Sequence, residues 1–209
     1  MNLLIQPLVP ELVGDYLDFF DHRAFSDGSP YYPCYCNAFN LSRAQIRDEL
    51  FARADALGGG DEGWRLALRE SARQMVLSGN IRGYLAYDGA LAVGWCNAND
   101  RLNYCRVGEF DLDRIPEDAP PKDCPEKGLV KSVVCFEIAP QYRGMGIAGK
   151  LLARICADAA AEGYSFVEGY PQAKLPDGAM AFTGPLPSMK RPVFGNTPAM
   201  APQSSCGRH

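Results

Sequence analysis

The sequence contains little of what several common classes of protein require. It has two histidines and two tryptophans in 209 residues, and no stretch approaches the ~20 consecutive apolar residues of a membrane-spanning helix. The first residues lack the basic start, the long apolar run and the small-residue cleavage site of a secretory signal. We therefore expect a chain that is neither secreted nor membrane-inserted, and we expect it to be cytoplasmic.

Positive charge is not in excess either. The chain carries 21 basic and 25 acidic side chains, which give a formal net charge of −4, and both signs are mixed along the sequence. Proteins that bind nucleic acid normally present a basic patch or stripe. The composition thus argues against a nucleic-acid partner, and an anionic small ligand would need a local site.

The eight cysteines are scattered, and several lie in apolar runs where a thiol behaves as a small hydrophobic group. Cys34 and Cys36 form the closest pair. No nearby pair of Cys or His residues completes four ligands at the usual spacing of a zinc site. We predict free thiols and no metal.

Periodicity divides the chain into a helical N-terminal part and a β-rich part. The first sixty residues are interpreted as helical, with Ser42 as the N-cap of a helix over residues 42–56, and a further helix is predicted over residues 61–78. Two β-prone runs between residues 83 and 97 flank Asp88-Gly89, which is a strong hairpin signal. A strand over residues 129–139, a helix from Gly146 and a strand over residues 165–170 form a βαβ unit, so part of the sheet should be parallel.

The turn at residues 140–150 is the most informative stretch. Its glycines let the backbone pass close to a ligand, and the free N–H groups at a helix start favour a phosphate or a diphosphate. Gly144-x-x-x-x-Gly149-Lys150 imitates a P-loop, but Leu151 stands where magnesium coordination needs Ser or Thr. This departure argues against a P-loop nucleotidase.

A dinucleotide-binding fingerprint also fits, as Gly144-x-Gly146-x-x-Gly149, with Glu168 near the distance expected for a ribose contact. That fingerprint normally opens a doubly wound domain at its first strand, whereas here only about sixty residues follow it. A nucleotide-binding protein remains an alternative that affinity for NAD or ATP would reveal.

A third interpretation fits better. Residues 138–152 resemble the acetyl-CoA motif of the GNAT N-acetyltransferase superfamily, whose core Arg/Gln-x-x-Gly-x-Gly/Ala occurs here in two overlapping registers that begin at Gln141 and Arg143. The resemblance is specific over residues 129–170, and the hairpin at residues 83–97 is similar to the family's second and third strands.

The resemblance implies an α/β fold with a mixed, mostly antiparallel sheet flanked by helices, in which the parallel strands four and five splay apart. It also implies direct transfer of an acetyl group from acetyl-CoA to a primary amine of a small molecule or a protein, with the thioester between those strands. Main-chain groups of the fourth strand would pair with the pantetheine arm, and the turn would hold the diphosphate. The implied donor-binding residues are Phe136, Glu137, Ile138, Arg143, Gly144, Met145, Gly146, Ile147, Ala148 and Gly149.

Acyl transfer to an alkylammonium requires a base that removes a proton. Glu137, on the strand beside the expected thioester, is the candidate, and the alternative is a strand-end carboxylate paired with Arg or Lys. Glu109 and Glu168 are second choices, for which a solvated or ion-paired acid is the alternative. The family does not fix the base at one position, so none of these assignments is carried over from it. His22 and His209 are expected to be structural or surface residues.

The end of the chain departs from the family pattern. Residues 182–189 resemble the start of the region in which many relatives carry a general-acid tyrosine, but residues 190–198 do not continue it. We predict one acyltransferase domain over residues 1–189 and an irregular tail over residues 190–209. The departure leaves a non-catalytic acyl-CoA-binding regulatory module as the alternative function, and the sequence also leaves a homodimer and the acceptor's identity open.

Overall fold

The computed structural model of the protein describes residues 3–105 and 130–170. Its strands form one five-stranded sheet in the order β1-β2-β3-β4-β5. The strands are β1 (Leu3–Pro7), β2 (Gly83–Asp88), β3 (Leu91–Asp100), β4 (Val130–Ile138) and β5 (Phe166–Gly169). The helices are α1 (Val13–His22), α2 (Phe51–Ala56), which continues from a π-helical segment (Gln45–Leu50), α3 (Gly60–Leu77) and α4 (Ile147–Ala161).

The sheet is antiparallel except for the pair β4 and β5, which is parallel and connected by α4. Buried side chains on one face pack against α1 and α3, and those on the other face pack against α4. This arrangement confirms the predicted mixed, mostly antiparallel fold with a parallel pair of strands four and five.

Local signals located the helices and the hairpin well. Ser42 and Gln45 form a reciprocal capping box, in which the Gln45 N–H donates to the Ser42 hydroxyl across 3.2 Å and the Ser42 N–H donates to the Gln45 side chain across 3.0 Å. Gly89 adopts φ 62° at the turn between β2 and β3, a conformation that favours glycine. The predicted N-cap and the predicted hairpin are thus confirmed.

The helical interpretation of the first sixty residues was wrong at the start of the chain. Residues Leu3–Pro7 form β1, which pairs in antiparallel fashion with β2 from Leu3↔Asp88 to Pro7↔Tyr84. The stabilising partner of this short strand lies about eighty residues away, and no period within five residues reveals it.

Trp95 occupies the centre of the face that packs against α1. It is fully buried, and its ring meets that of Tyr16 edge to face, with centroids 5.0 Å apart. Gly83 makes this packing possible, because a Cβ atom there would lie 2.5 Å from the Trp95 ring and 2.0 Å from the carbonyl oxygen of Cys96.

The predicted tail over residues 190–209 lies outside the described residues, and so do the candidate Glu109 and His209. The domain boundary at residue 189 therefore stays a prediction. In the two described ranges, no helix combines the length and the apolar character needed to cross a membrane.

Candidate active site

A β-bulge in β4 determines which side chains face α1. Asn97 pairs with Cys135 and Ala98 pairs with Val133, so Val134 is the extra residue. The side chains of Val134 and Cys135 both enter the core on the α1 side, whereas Val133 belongs to the core on the α4 side. Strict alternation would give Val133 and Glu137 the same face; the bulge puts Glu137 on the opposite one.

Beyond this bulge, one edge of β4 has no strand partner among the described residues. Pairing of the described residues runs from Val130↔Phe166 to Val133↔Gly169, while β4 continues to Ile138. The Ala139 N–H donates to the Val93 carbonyl across 3.0 Å, on the β3 side. Because backbone groups alternate along a strand, those of Phe136 and Ile138 point to the edge that β5 leaves.

The glycine turn connects this edge to α4. Gly144 and Gly146 adopt φ 78° and 76°, and Gly146 is the N-cap of α4 without a side-chain hydrogen bond. The first three N–H groups of the helix have no acceptor within it. Added Cβ atoms at Gly144, Gly146 and Gly149 would meet no atom within 4 Å, so the turn presents open backbone to a ligand.

The predicted donor-binding residues differ in their exposure. The turn residues Gly144, Met145, Gly146 and Gly149 are exposed, Ala148 is half-buried, and Phe136 is buried on the α4 side. Ile147, the first residue of α4, is 1% exposed. Its Cγ2 atom packs against Gly94, where an added Cβ atom would lie 3.2 Å from that Cγ2 atom. The core therefore holds the first turn of the helix in place.

The Arg143 side chain contacts β4 and the segment after α1. Its guanidinium donates to the Ile138 carbonyl across 3.0 Å and to the Glu137 carboxylate across 3.3 Å, and it forms an ion pair with Asp27. The Arg143 side chain is 45% exposed, and that of Glu137 is 12% exposed. The arginine that the motif assigns to the donor is thus bound to two carboxylates and to the open edge of β4.

The Glu137 carboxyl has properties suited to a base at neutral pH. Burial raises its pKa to about 7, and the neighbouring Arg143 opposes this rise. A carboxylate with a pKa near the operating pH is half ionised and can accept a proton from an ammonium group. Of the candidate carboxylates in the described part of the chain, Glu137 is the one beside the uncovered edge of β4.

Glu168, the second choice, is committed to other partners. It accepts hydrogen bonds from the Ser132 hydroxyl and from the Tyr170 hydroxyl, and it lies 3.1 Å from the Arg101 guanidinium. Burial and the Glu168 carboxylate raise the pKa of Tyr170 well above its usual value, which makes this phenol a weaker acid than an ordinary tyrosine.

His22, which the sequence predicts to be a structural or surface residue, lies on the surface and forms a hydrogen bond with Asp18.

The loop at residues 31–36 brings two thiols close to Glu137. The Cys36 N–H donates to the Cys34 sulfur across 3.3 Å, and Asn97 donates to the Cys36 carbonyl across 2.9 Å. Burial raises the pKa of Cys34 to about 12.

Among residues 3–105 and 130–170, no three His, Cys, Asp or Glu side chains are grouped so that they could hold a metal ion.

The P-loop interpretation is disfavoured by the packing. Leu151, at the position that would need a magnesium-binding hydroxyl, is fully buried in the core beneath α4. The contacts of Glu168 with Ser132, Tyr170 and Arg101 likewise occupy the carboxylate that a ribose contact would require.

The structure is similar to solved N-acetyltransferases. An aminoglycoside acetyltransferase from an uncultured soil metagenomic sample, in complex with sisomicin, is 10% identical over 84% of this chain and 80% of that chain, with a TM-score of 0.46. A ribosomal-protein-alanine N-acetyltransferase from Brucella melitensis biovar Abortus 2308 is 14% identical over 79% of this chain and 78% of its own, with a TM-score of 0.43. A GCN5-related N-acetyltransferase from Ralstonia eutropha JMP134 is 14% identical over 79% and 81% of the respective chains, with a TM-score of 0.41.

A scan against protein-family models and a search of curated proteins found no match.

Sequence reasoning missed Asp27. Its carboxylate meets the Arg143 guanidinium although the two residues lie 116 positions apart. Asp27 occupies the segment that ends the first helical region, where an acidic residue is an ordinary turn former. No local pattern identifies it as part of the site.

Proposed function

We propose that the protein is an N-acetyltransferase of the GNAT type, which transfers an acetyl group directly from acetyl-CoA to a primary amine. The observation that carries this proposal is that one edge of β4 continues directly into the glycine turn and the start of α4. The backbone of Phe136 and Ile138, uncovered by β5 among the described residues, leads into the exposed turn at Gly144 and Gly146 and the free N–H groups of α4.

The donor's two halves match these two parts of the edge. The amide groups of a pantetheine arm form hydrogen bonds of the kind that an additional strand would form with β4. A diphosphate is an acceptor for the N–H groups at the start of α4, and the helix dipole favours its negative charge. The motif residues from Arg143 to Gly149 are the proposed diphosphate contacts.

Glu137 is the proposed base. The amine nitrogen attacks the thioester carbonyl carbon, a C–N bond forms, and the C–S bond breaks with release of the CoA thiolate. The proton lost by the nitrogen passes to Glu137, directly or through water, because its carboxyl is close to half ionised at neutral pH. A backbone N–H of β4 would stabilise the oxyanion of the tetrahedral intermediate. The acceptor is a small molecule or a protein amino group, and the proposed location is the cytoplasm.

Calorimetric titration of the 209-residue chain with acetyl-CoA tests the donor site, with NAD and ATP in the same buffer as controls. Saturable binding of acetyl-CoA alone is expected. Release of free thiol in the presence of a panel of primary amines then distinguishes an enzyme from a non-catalytic acyl-CoA-binding module, which binds the donor but releases no thiol above the background rate. Tight binding of NAD or ATP would overturn the proposal.

A further inference from the structure

Arg143 occupies groups that the proposed reaction requires. Its Nε donates to the Ile138 carbonyl, on the edge of β4 proposed for the pantetheine arm, and one Nη donates to the proposed base Glu137. The other Nη is paired with Asp27. This one guanidinium therefore contacts both the edge proposed for the donor and the proposed base.

The same residue directly precedes Gly144, at the start of the turn proposed for the diphosphate. Its side chain is 45% exposed, so it lies at the surface. A diphosphate at the turn carries more negative charge than either carboxylate and forms charge-assisted hydrogen bonds with a guanidinium in a fork geometry. A pantetheine arm on this edge also competes with Arg143 for the Ile138 carbonyl.

We propose that Arg143 is a positioning residue that exchanges partners. It holds the Glu137 carboxylate in this structure, and it moves to the diphosphate when the donor binds; the ammonium group of the acceptor then replaces the guanidinium as the cation beside Glu137. This inference rests on the proposed function.

The exchange predicts an uptake of protons that can be measured without any catalysis. Arg143 favours the ionised form of Glu137, whose pKa is about 7 in its presence, so its departure raises that pKa further. An opposite charge at contact distance usually changes a carboxyl pKa by about 1–3 units, so binding at pH 7 should add roughly 0.4 of a proton to Glu137. The charged and titratable groups that face Glu137 are Arg143, Asp27, Cys34, Cys36 and Cys135.

Titration calorimetry with CoA at pH 7, in PIPES and in imidazole buffer, measures this uptake. The two buffers differ in ionisation enthalpy, so the difference in heat gives the number of protons bound. Any change in the protonation of CoA itself is common to all variants. The proton uptake measured with Glu137→Gln, which lacks the carboxyl, therefore serves as the baseline. The wild-type protein should take up roughly 0.4 of a proton more than Glu137→Gln. In Arg143→Gln this excess should disappear, because no cation leaves Glu137, and in Arg143→Lys it should return in part.

The outcomes separate the two proposals. An excess in the wild-type protein that persists unchanged in Arg143→Gln would overturn the exchange, because the bound CoA itself would then cause the shift. CoA binding without any excess over Glu137→Gln would overturn it as well, and in both cases the proposed function stands. Absence of CoA binding by the folded wild-type protein would overturn the proposed function and this inference with it.

Discussion

Asp27 and Arg143 lie 116 positions apart, and their side chains form an ion pair beside the Ile138 end of β4. The pair joins the segment after α1 to the turn before α4. Asp27 accepts from one Nη of the guanidinium while Glu137 accepts from the other. Asp27 is therefore the residue, outside the motif, that most directly restrains the proposed movement of Arg143.

Replacing Asp27 with Asn should strengthen donor binding. Because an ion pair of this exposure contributes about 0.2–1 kcal/mol, its loss should lower the Kd for CoA by up to about fivefold. Calorimetric titration measures the change. Asp48→Asn is the matched control, since Asp48 forms an exposed ion pair with Arg47 on another part of the surface. Weaker CoA binding by Asp27→Asn would show instead that Asp27 supports the donor site.

Gly149→Asp should weaken the binding of CoA while preserving the fold. A side chain at Gly149 meets no atom within 4 Å, and a carboxylate in the first turn of a helix stabilises it by about 0.3–1 kcal/mol. The same carboxylate repels a diphosphate at the start of α4. We expect the CoA affinity to fall at least about tenfold in calorimetry, with the thermal midpoint unchanged or higher.

Gly14→Asp is the control for that substitution. Gly14 lies in the first turn of α1, and a side chain there also meets no atom within 4 Å. The charge change and the helical position are thus matched, but the glycine turn is untouched. Equal losses of CoA affinity in both variants would mean that net charge, rather than the start of α4, determines binding.

Glu137→Gln should slow the transfer reaction and change its dependence on pH. A base acts in its ionised form, so the wild-type kcat/KM for the amine should rise with pH, with a midpoint above the value of about 7 that holds while Arg143 contacts Glu137. Loss of a general base usually lowers the rate about 10²–10⁴-fold, and the pH-dependent step should vanish with it. Steady-state thiol release from pH 5.5 to pH 8.5, with an amine found by screening, provides the measurement. An unchanged profile would assign the base elsewhere.

The same substitution should stabilise the protein at alkaline pH. Folding raises the pKa of Glu137 from about 4.5 to about 7, so the folded state binds the proton more tightly than the unfolded state does. Stability of the wild-type protein therefore falls as the pH rises from 4.5 to 7. Glu137→Gln avoids this loss and should gain up to about 3 kcal/mol at pH 8, with no gain below pH 4.5. Urea unfolding at pH 4.5 and pH 8 tests both values.

Gly83→Ala should destabilise the sheet. The added Cβ atom would lie 2.0 Å from the Cys96 carbonyl oxygen and 2.5 Å from the Trp95 ring, so β2 or β3 must shift. Overpacking of this kind typically costs about 1–3 kcal/mol, measurable by urea unfolding. Gly14→Ala, where the space is open, should instead be neutral or slightly stabilising. Equal stabilities of the two variants would contradict this packing.

Much of the site could be predicted because its signals are local. Glycines at 144 and 146 are needed for a left-handed turn before a helix, and the alternation of strand and helix around them indicates a parallel pair. The positions of β4, the turn, α4 and β5 follow from these residues and agree with the structure within one or two positions. The fold around the site was therefore accessible from the sequence.

The remainder depends on contacts between distant segments. The bulge at Val134 has no glycine or turn former to mark it, and it arises from the register between β3 and β4. The contact between Arg143 and Asp27 and the pairing of β1 with β2 both join distant segments. They can be recognised only from the tertiary structure. The sequence motif assigns Arg143 to the donor, whereas its side chain bonds to carboxylates, and only the structure reveals this second set of partners.

The burial of Ile147 has a consequence for the thermodynamics of ligand binding. Because this residue is fixed in the core against Gly94, the N–H groups that follow it are aligned before a ligand arrives. A preorganised site loses little conformational entropy on association, so the binding entropy should reflect mainly released water and the reorientation of Arg143. Affinity at the proposed diphosphate site is therefore largely determined when α4 packs on the sheet, and substitutions beneath α4 should weaken ligand binding without contacting the ligand.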